Sequence, residues 1–367
     1  MIKAMDRWLL PWLKDSLLRR KAPITDVMVG VCDHFEPFHR TDKLGALRRM
    51  AIWHAGLPEL VRASRDHDGH SAKHTFFYPV EQYDEDVIAA LAELCQLTGN
   101  EVEVHLHHEN DTKENFVDGL KQGVAELRSH GLLGGGERPV FGFIHGNWAL
   151  DDSDPQGRGC GVRDELRLLR QAGCYADLTM PSAPHPTQTP VVNTLYYARS
   201  TPRGCSHHRG IRVTAGAHGT QRLREESDHL LLVQGPLTLD FKRRKWGLLP
   251  RLENADLGPQ NPPTLHRMHS WMGCDVSVRG AENWCFVKLH THGAPEHGHR
   301  SNLGAERAQF HEDIQAMSRS GGFRLHYVSA REMVNILHAA EDGHSGDAGE
   351  WRDYLYSPPP LLGGVRR

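Results

Sequence analysis

Three histidines and two carboxylates fall within seven residues of this chain, in segment 105–111, which reads His-Leu-His-His-Glu-Asn-Asp. Residues 101–106 alternate polar and apolar side chains, as a strand with two different faces does. On such a strand His105 and His107 point to the same side. Imidazole and carboxylate groups gathered at one strand end are typical of metal ligands, and His108 is a third candidate. Because the chain holds 26 histidines, a solvated His-rich loop is the alternative.

A second candidate site follows the apolar run 24–32, where the chain continues Asp33-His34-Phe-Glu36-Pro. A carboxylate beside a metal stays ionised and can take a proton from water, which suits Asp33 as a base and His34 as a ligand. Glu36 could equally accept a hydrogen bond from a ligand imidazole and so orient that ring, without binding the metal itself. The simpler interpretation is an Asp that caps the next segment beside an exposed His.

Two more apolar runs end in polar residues that could complete a site. His290-Thr-His292 has the period of two that places both rings on one side of a strand. A histidine titrates near neutrality, so His290 could protonate a leaving amine. His145-Gly-Asn147-Trp148 combines hydrogen-bonding groups with an aromatic wall, which is typical of sugar sites, although Trp148 could simply be part of the core.

The pattern of predicted strands and helices indicates how these clusters are positioned relative to one another. Short apolar strands alternate with amphipathic helices, which predicts parallel βα units and an α/β fold. Polar clusters follow the predicted strand ends near residues 33, 105, 145, 181 and 290. In a parallel (β/α) barrel those ends lie on one face, where active sites are built. We therefore expect one pocket rather than five separate clusters.

Length and composition indicate one large globular domain. The 367 residues are 39% hydrophobic and 24% charged, with a formal charge of −3 and no long basic block, so no nucleic-acid partner is predicted. We divide the chain into an N-terminal helix packed on the domain (1–22), a catalytic barrel (23–340) and a C-terminal tail (341–367). Seven cysteines without a CxxC pair predict neither a disulfide framework nor a zinc knuckle, and fit a reducing compartment.

The first segment also bears on location. It carries several Trp and Leu residues but is interrupted by Pro11, Lys14 and Asp15, so it predicts neither a membrane-spanning helix nor a cleaved leader. It could lie on a membrane surface, as a peripheral contact, or dock onto the domain's own core. We expect a cytoplasmic protein, and the sequence leaves its oligomeric state open.

Taken in order, these clusters resemble the NodB-like polysaccharide deacetylases of carbohydrate esterase family 4. Asp33 matches the catalytic base of the family's first motif, and His34 stands where the family has a metal-binding Asp. His105 matches the first histidine of the second motif; Glu109 replaces the second, so His107 or His108 would complete the ligand set. Leu289-His290 resembles the motif that supplies the catalytic acid.

The resemblance implies a distorted, seven-stranded (β/α) barrel that holds one divalent metal, zinc. It implies hydrolysis of an N-acetyl or similar acyl group on a sugar or polysaccharide precursor. The residues expected in the sugar site are His145, Asn147, Trp148 and His292.

Two other functions remain open from the residues alone. One is a metal-dependent amidohydrolase or phosphoesterase, although those folds usually carry His-x-His at the first strand. The other is a catalytically inactive barrel that binds carbohydrate, which the departures at His34 and Glu109 allow. The absence of a Gly-x-Ser-x-Gly elbow argues against a serine hydrolase, and no Gly-x-Gly-x-x-Gly follows a strand as a dinucleotide site requires.

Overall fold

A computed structural model of the chain describes residues 4–18, 22–136, 138–216 and 220–362. Parts of the predicted N-terminal segment (1–3 and 19–21) and of the predicted tail (363–367) lie outside the described residues. The strands are β1 (Asp26–His34), β2 (Thr75–Pro79), β3 (Glu101–Leu106), β4 (Phe141–His145), β5 (Cys174–Asp177), β6 (Leu195–Arg199), β7 (Ile211–Arg212), β8 (His229–Val233), β9 (Thr238–Lys245), β10 (Leu249–Glu253), β11 (Asp256–Leu257), β12 (Trp284–Thr291) and β13 (Arg324–Tyr327). The α-helices are α1 (Met5–Leu18), α2 (Lys43–Ala63), α3 (Glu85–Thr98), α4 (Lys113–Ser129), α5 (Glu165–Gln171), α6 (Gln221–Glu225), α7 (Leu265–Met272), α8 (Glu296–Leu303), α9 (Ala305–Gly321) and α10 (Ala330–Glu341).

Eleven of these strands form one largely parallel sheet, so the prediction of an α/β fold is confirmed. The strand order is β11-β12-β1-β2-β3-β4-β5-β8-β6-β7, and β13 pairs with β1 beside this path. Only β6 runs antiparallel to its neighbours, β8 and β7. Within the described residues, hydrogen bonds do not close this sheet into a barrel. Strands β9 and β10 form a separate antiparallel hairpin.

Strand β1 lies at the centre of the sheet and is buried on both faces. Its odd-numbered residues, such as Val29 and Val31, pack in one apolar cluster with Phe310 of α9. The even-numbered Met28 and Cys32 pack in another with α10. Continuous apolar sequence of this kind is typical of parallel strands covered on both sides.

The helices begin and end where local chemistry favours it. The side chains of Asp84 and Thr112 accept backbone N–H groups at the start of α3 and α4, and Ser329 forms a reciprocal capping box with Glu332 in α10. Helix α3 ends at Gly99, whose φ of 69° is the left-handed conformation that glycine adopts without steric cost. These caps fix the points at which each helix returns the chain to the sheet.

The structure differs from the sequence expectation at two places. Strand β1 continues through Asp33 and His34 rather than ending before them, because β12 and β2 pair with these residues on both sides. The sequence of residues 184–270 predicts one clear strand, near 230–234, but the structure also has β6, β7, β9, β10 and β11 there. Their strands are short, and the hairpin is charged, so period-two hydrophobicity is hard to see there.

Helix α1 packs on the sheet domain through its indole side chains. Trp8 is fully buried in a small apolar cluster with Ala183, Val192 and Leu237. Among the described residues, no helix combines the length and the apolar character needed to cross a lipid bilayer.

Candidate metal centre at the carboxyl ends of the strands

Three side chains from two strand ends converge into a buried cluster. His34 ends β1, Glu36 follows two residues later, and His105 lies near the end of β3. Each offers a ligand atom, and these atoms lie within 4.8 Å of one another. Because β1, β2 and β3 are adjacent and parallel, their carboxyl ends meet at the same edge.

His105 and His107 both direct Nε2 toward one oxygen of Glu36. The Nε2 atoms lie 3.4 and 3.3 Å from Glu36 Oε1. His105 Nδ1 donates to the carbonyl of Ile144 at 3.0 Å, and His107 Nδ1 donates to Glu81 Oε1 at 2.6 Å. In a neutral ring whose Nδ1 carries the proton, Nε2 holds a lone pair. Two lone pairs that face a carboxylate oxygen need a cation or a proton between them.

His34 adds a third imidazole with no competing contact. Its ring is buried, and neither ring nitrogen has a hydrogen-bond partner among the described residues. The centroid of the ring lies 4.9 Å from that of His105 and 4.6 Å from those of Trp148 and His292. A buried imidazole without a partner is costly unless a ligand completes it. The donor set of nitrogen and carboxylate oxygen therefore fits a divalent metal.

The electrostatics keep His34, His105 and Glu36 in ligand-competent states, whereas they favour a protonated His107. Burial, reinforced by His292 and His105, holds the pKa of His34 well below its ordinary value, and burial also lowers the pKa of His105. Burial alone would raise the pKa of Glu36, but hydrogen bonds with His105 and His107 hold it well below its ordinary value. Burial opposes protonation of His107, yet its contacts with Glu36 and Glu81 raise its pKa to about 9. A metal at this site would take the place of the proton on His107.

Asp33 lies on the opposite face of β1 from His34, because successive strand residues alternate. Its Oδ1 accepts the backbone N–H of Gly293 at 2.6 Å, and its Oδ2 accepts Nε2–H of His74 at 2.9 Å. The His74 ring in turn packs against Trp53 of α2. Both carboxylate oxygens of Asp33 are thus engaged, Oδ1 by the loop after β12 and Oδ2 by the segment that precedes β2.

Two of the predicted sugar-site residues, Trp148 and His292, flank the ring of His34. Trp148 contacts both His34 and His290, with ring centroids 4.6 and 5.7 Å apart, and His292 stacks on His34. His290 is buried, and its Nδ1 has no hydrogen-bond partner among the described residues. Burial, with Lys288 nearby, holds the pKa of His290 well below its ordinary value. The side chain of Asn147 instead donates to the carbonyl of His108, so it holds the loop together.

His108 faces away from this cluster and joins a second one with His145 and Glu165. Its Nε2 donates to Glu165 Oε1 at 3.1 Å, and its Nδ1 lies 3.4 Å from Asp111. The three side chains could hold a metal by distance alone. However, His145 Nδ1 accepts the backbone N–H of Asn147, which places the proton of the neutral ring on Nε2. His145 Nε2, which lies 3.9 Å from Glu165 and has no hydrogen-bond partner among the described residues, then carries a hydrogen instead of the lone pair that a metal needs.

Sequence reasoning missed three residues at this edge and gave Glu36 only a supporting role. Glu81 follows the end of β2 directly, so the rule that polar residues after strand ends build the site would have found it. His74 precedes β2, and Glu165 opens α5, so no local pattern connects either to the site. No protein family model matches this sequence, and comparison with curated proteins finds no match.

Proposed function

We propose that this protein is a metal-dependent hydrolase that removes an acyl group, such as N-acetyl, from a sugar or polysaccharide precursor. One observation carries the proposal: the Nε2 atoms of His105 and His107 converge on Glu36 beside the unpartnered ring of His34. In this proposal His34, Glu36, His105 and His107 hold one divalent cation, and His108 does not. Imidazole-rich donor sets suit zinc.

When bound, the cation would polarise the substrate carbonyl and stabilise the negative charge that develops on its oxygen. The chain's own residues bind and orient the sugar. Trp148 and His292 offer ring faces next to His34, and the buried Nδ1 of His290 has no hydrogen-bond partner among the described residues. Because burial holds the pKa of His290 well below its ordinary value, the ring would have to gain a proton before protonating the leaving amine.

The contacts of Asp33 favour a positioning role over the base role that the family resemblance implies. Its carboxylate fixes Gly293, and therefore the neighbouring His292 that stacks on His34. Glu36 is the ionised carboxylate within the cluster itself, so it is the better placed group to bind the metal.

The sheet supports a distorted, seven-stranded barrel as the fold of this enzyme. Seven successive neighbours, β12, β1, β2, β3, β4, β5 and β8, run parallel. In a parallel barrel their carboxyl ends would surround the metal cluster on one face. The order of the clusters along the chain agrees with that of NodB-like deacetylases.

The test combines metal analysis with acetate release from N-acetylated oligosaccharides. We expect about one zinc per wild-type chain, loss of metal and activity in His105→Ala and His107→Ala, and retention of metal in His108→Ala. Glu81→Gln should weaken metal binding about 10–100-fold, since it replaces the charged acceptor that orients His107 with a weaker, neutral one. His297→Ala, at an exposed histidine, is the matched control.

Three outcomes would overturn parts of the proposal. Metal lost in His108→Ala but kept in His107→Ala would move the site to the second cluster. Phosphate release from phosphoesters without acetate release would favour a phosphoesterase. Bound metal without hydrolysis of any acylated sugar would favour a carbohydrate-binding barrel.

A further inference from the structure

One side of the molecule exposes more large apolar side chains than a solvated surface needs. Helix α1 presents Leu10, Leu13 and Leu17 to solvent, with Leu10 and Leu17 about three-quarters exposed at 74% and 76%. At 100° per residue these three positions form one stripe along the helix. The opposite face carries Trp8, which is already buried against the domain. The helix therefore carries large apolar side chains on both sides, and those of its outer side are exposed to solvent together with Asp6 and Lys14.

The β9–β10 hairpin exposes a second apolar group beside this helix. Phe241, Trp246, Leu248 and Leu249 are all exposed, with Trp246 and Leu248 at 77% and 78%. Trp246 occupies the turn with a φ of 54°, a left-handed conformation that is uncommon for a bulky residue, and the turn presents its indole to solvent.

The two apolar groups are connected at their bases. Leu9 and Trp12 of α1 and Leu239 and Leu252 of the hairpin all pack against the cluster that contains Trp8. Helix and hairpin therefore lie on the same side of the protein, and we call their exposed residues (Leu10, Leu13, Leu17, Phe241, Trp246, Leu248 and Leu249) the apolar rim.

The charge at the tip of the hairpin has one sign. Residues 241–251 contain five basic residues and no acidic one. Arg243 is engaged by Asp240 and Glu253 at the base of the hairpin, whereas Lys242, Arg244, Lys245 and Arg251 are exposed. Lys245 lies over the Trp246 ring at 4.3 Å, which places a cation beside the indole. Exposed Trp and Leu side chains bordered by lysine and arginine are typical of surfaces that enter the headgroup region of anionic bilayers.

We propose that the apolar rim docks this protein onto an anionic lipid surface. The leucines of α1 and the tip of the hairpin insert among the headgroups, while Lys242, Arg244, Lys245 and Arg251 pair with lipid phosphates. A second protein copy would meet the same basic residues and experience like-charge repulsion, which argues against a dimer through this face. This proposal is independent of the metal cluster and of the proposed function.

The test is cosedimentation of the full chain with vesicles of phosphatidylcholine alone and of phosphatidylcholine with about one-third phosphatidylserine. We expect binding to the anionic vesicles that weakens as salt is added, since screening reduces the attraction. Trp246→Ser with Leu248→Ser, or Leu10→Ser with Leu17→Ser, should weaken binding roughly tenfold or more. Lys242→Gln with Lys245→Gln should weaken it by about fivefold per charge.

Matched controls separate docking from general surface effects. Leu97→Ser removes an exposed leucine from α3, and Lys121→Gln removes an exposed charge from α4, so both should bind like wild type. Equal binding by the apolar-rim variants and the controls, or no binding to anionic vesicles, would overturn the proposal. Self-association in sedimentation velocity that these same variants abolish would assign the face to a second copy instead.

Discussion

At the scale of single residues, the hydrogen bond made by one ring nitrogen of a histidine determines whether the other ring nitrogen can bind a metal. The carbonyl of Ile144 and the carboxylate of Glu81 hold Nδ1–H of His105 and His107 and thereby direct both Nε2 lone pairs inward. His145 shows the reverse arrangement, since a backbone N–H occupies its Nδ1. Two neighbouring histidine clusters of similar composition are therefore suited to different tasks.

The two roles considered for Asp33 make different predictions. If Asp33 positions the loop, Asp33→Asn and His74→Gln should each lower the free energy of unfolding by about 1–3 kcal/mol, because each disturbs a buried hydrogen bond. Both should also reduce acetate release to a similar extent. Urea unfolding and steady-state kinetics of the two variants provide the measurement.

A base role for Asp33 would give another result. Asp33→Asn would then lower kcat about 10²–10⁴-fold at unchanged stability. His74→Gln would leave the rate within a few-fold of wild type, and this pair of outcomes would contradict the positioning role.

At the scale of elements, helix α10 holds β3, the strand that carries His105, in place. Arg331 makes two hydrogen bonds to Glu101 at the start of β3, at 3.0 and 2.7 Å, and both residues are buried. The same guanidinium donates to Asp353 and to the carbonyl of Tyr356, so the C-terminal segment closes over the pair. These contacts fix β3 at Glu101, which is the end of the strand opposite to His105.

Removing one partner of this buried pair should be costly. Arg331→Met leaves Glu101 charged and buried without its counterion, so we expect the free energy of unfolding to fall by about 3–5 kcal/mol. The double variant Arg331→Met with Glu101→Met should recover part of this loss, because it removes the orphaned charge. Urea unfolding of both variants measures the coupling.

Arg319→Met, at an exposed position of α9, is the matched control and should change stability by less than about 0.5 kcal/mol. If the double variant has the same free energy of unfolding as Arg331→Met alone, the ion pair between Arg331 and Glu101 does not hold β3 in place.

At the scale of the whole molecule, an ion-pair network ties the C-terminal segment to the amino ends of the strands. His326 of β13 lies between Asp26 of β1, at 2.9 Å, and Asp68, at 2.8 Å. Arg352, which is buried, joins Asp68 and Asp66. Because Arg352 supplies positive charge there, these carboxylates have a cationic partner within the protein itself.

The network predicts a pH dependence of stability. Burial lowers the pKa of His326, but its bonds to Asp26 and Asp68 outweigh this, so the pKa is raised above its ordinary value of 6.5. The protonated ring therefore contributes its full stabilisation below pH 6.5, and this contribution is lost as pH rises through the raised folded-state pKa. His326→Gln should be less stable than wild type below pH 6.5, and the difference should narrow at higher pH.

Urea unfolding across this pH range checks the prediction, with His297→Gln at an exposed position as the control. If the difference in free energy of unfolding between wild type and His326→Gln stays constant with pH, the ring stabilises the protein through packing alone.

The sequence by itself determined those features that depend on local periodicity. Alternation over 101–106 predicted β3 with its observed bounds and placed His105 and His107 on one side. The repeated order of strand, polar residues and helix predicted a parallel sheet, because each such unit is defined by near neighbours along the chain. Polar residues after strand ends indicated the edge at which candidate ligands would gather.

Only the tertiary structure decided which of those residues meet. Pairing with β2 and β12 extends β1 through Asp33 and His34, and this extension sends the two side chains to opposite faces. Glu36 and Glu81 reach His107 from two other strand ends, and His108 turns to Glu165. Such contacts join residues that are far apart along the chain, so they depend on how strands align in the sheet, which no local pattern encodes.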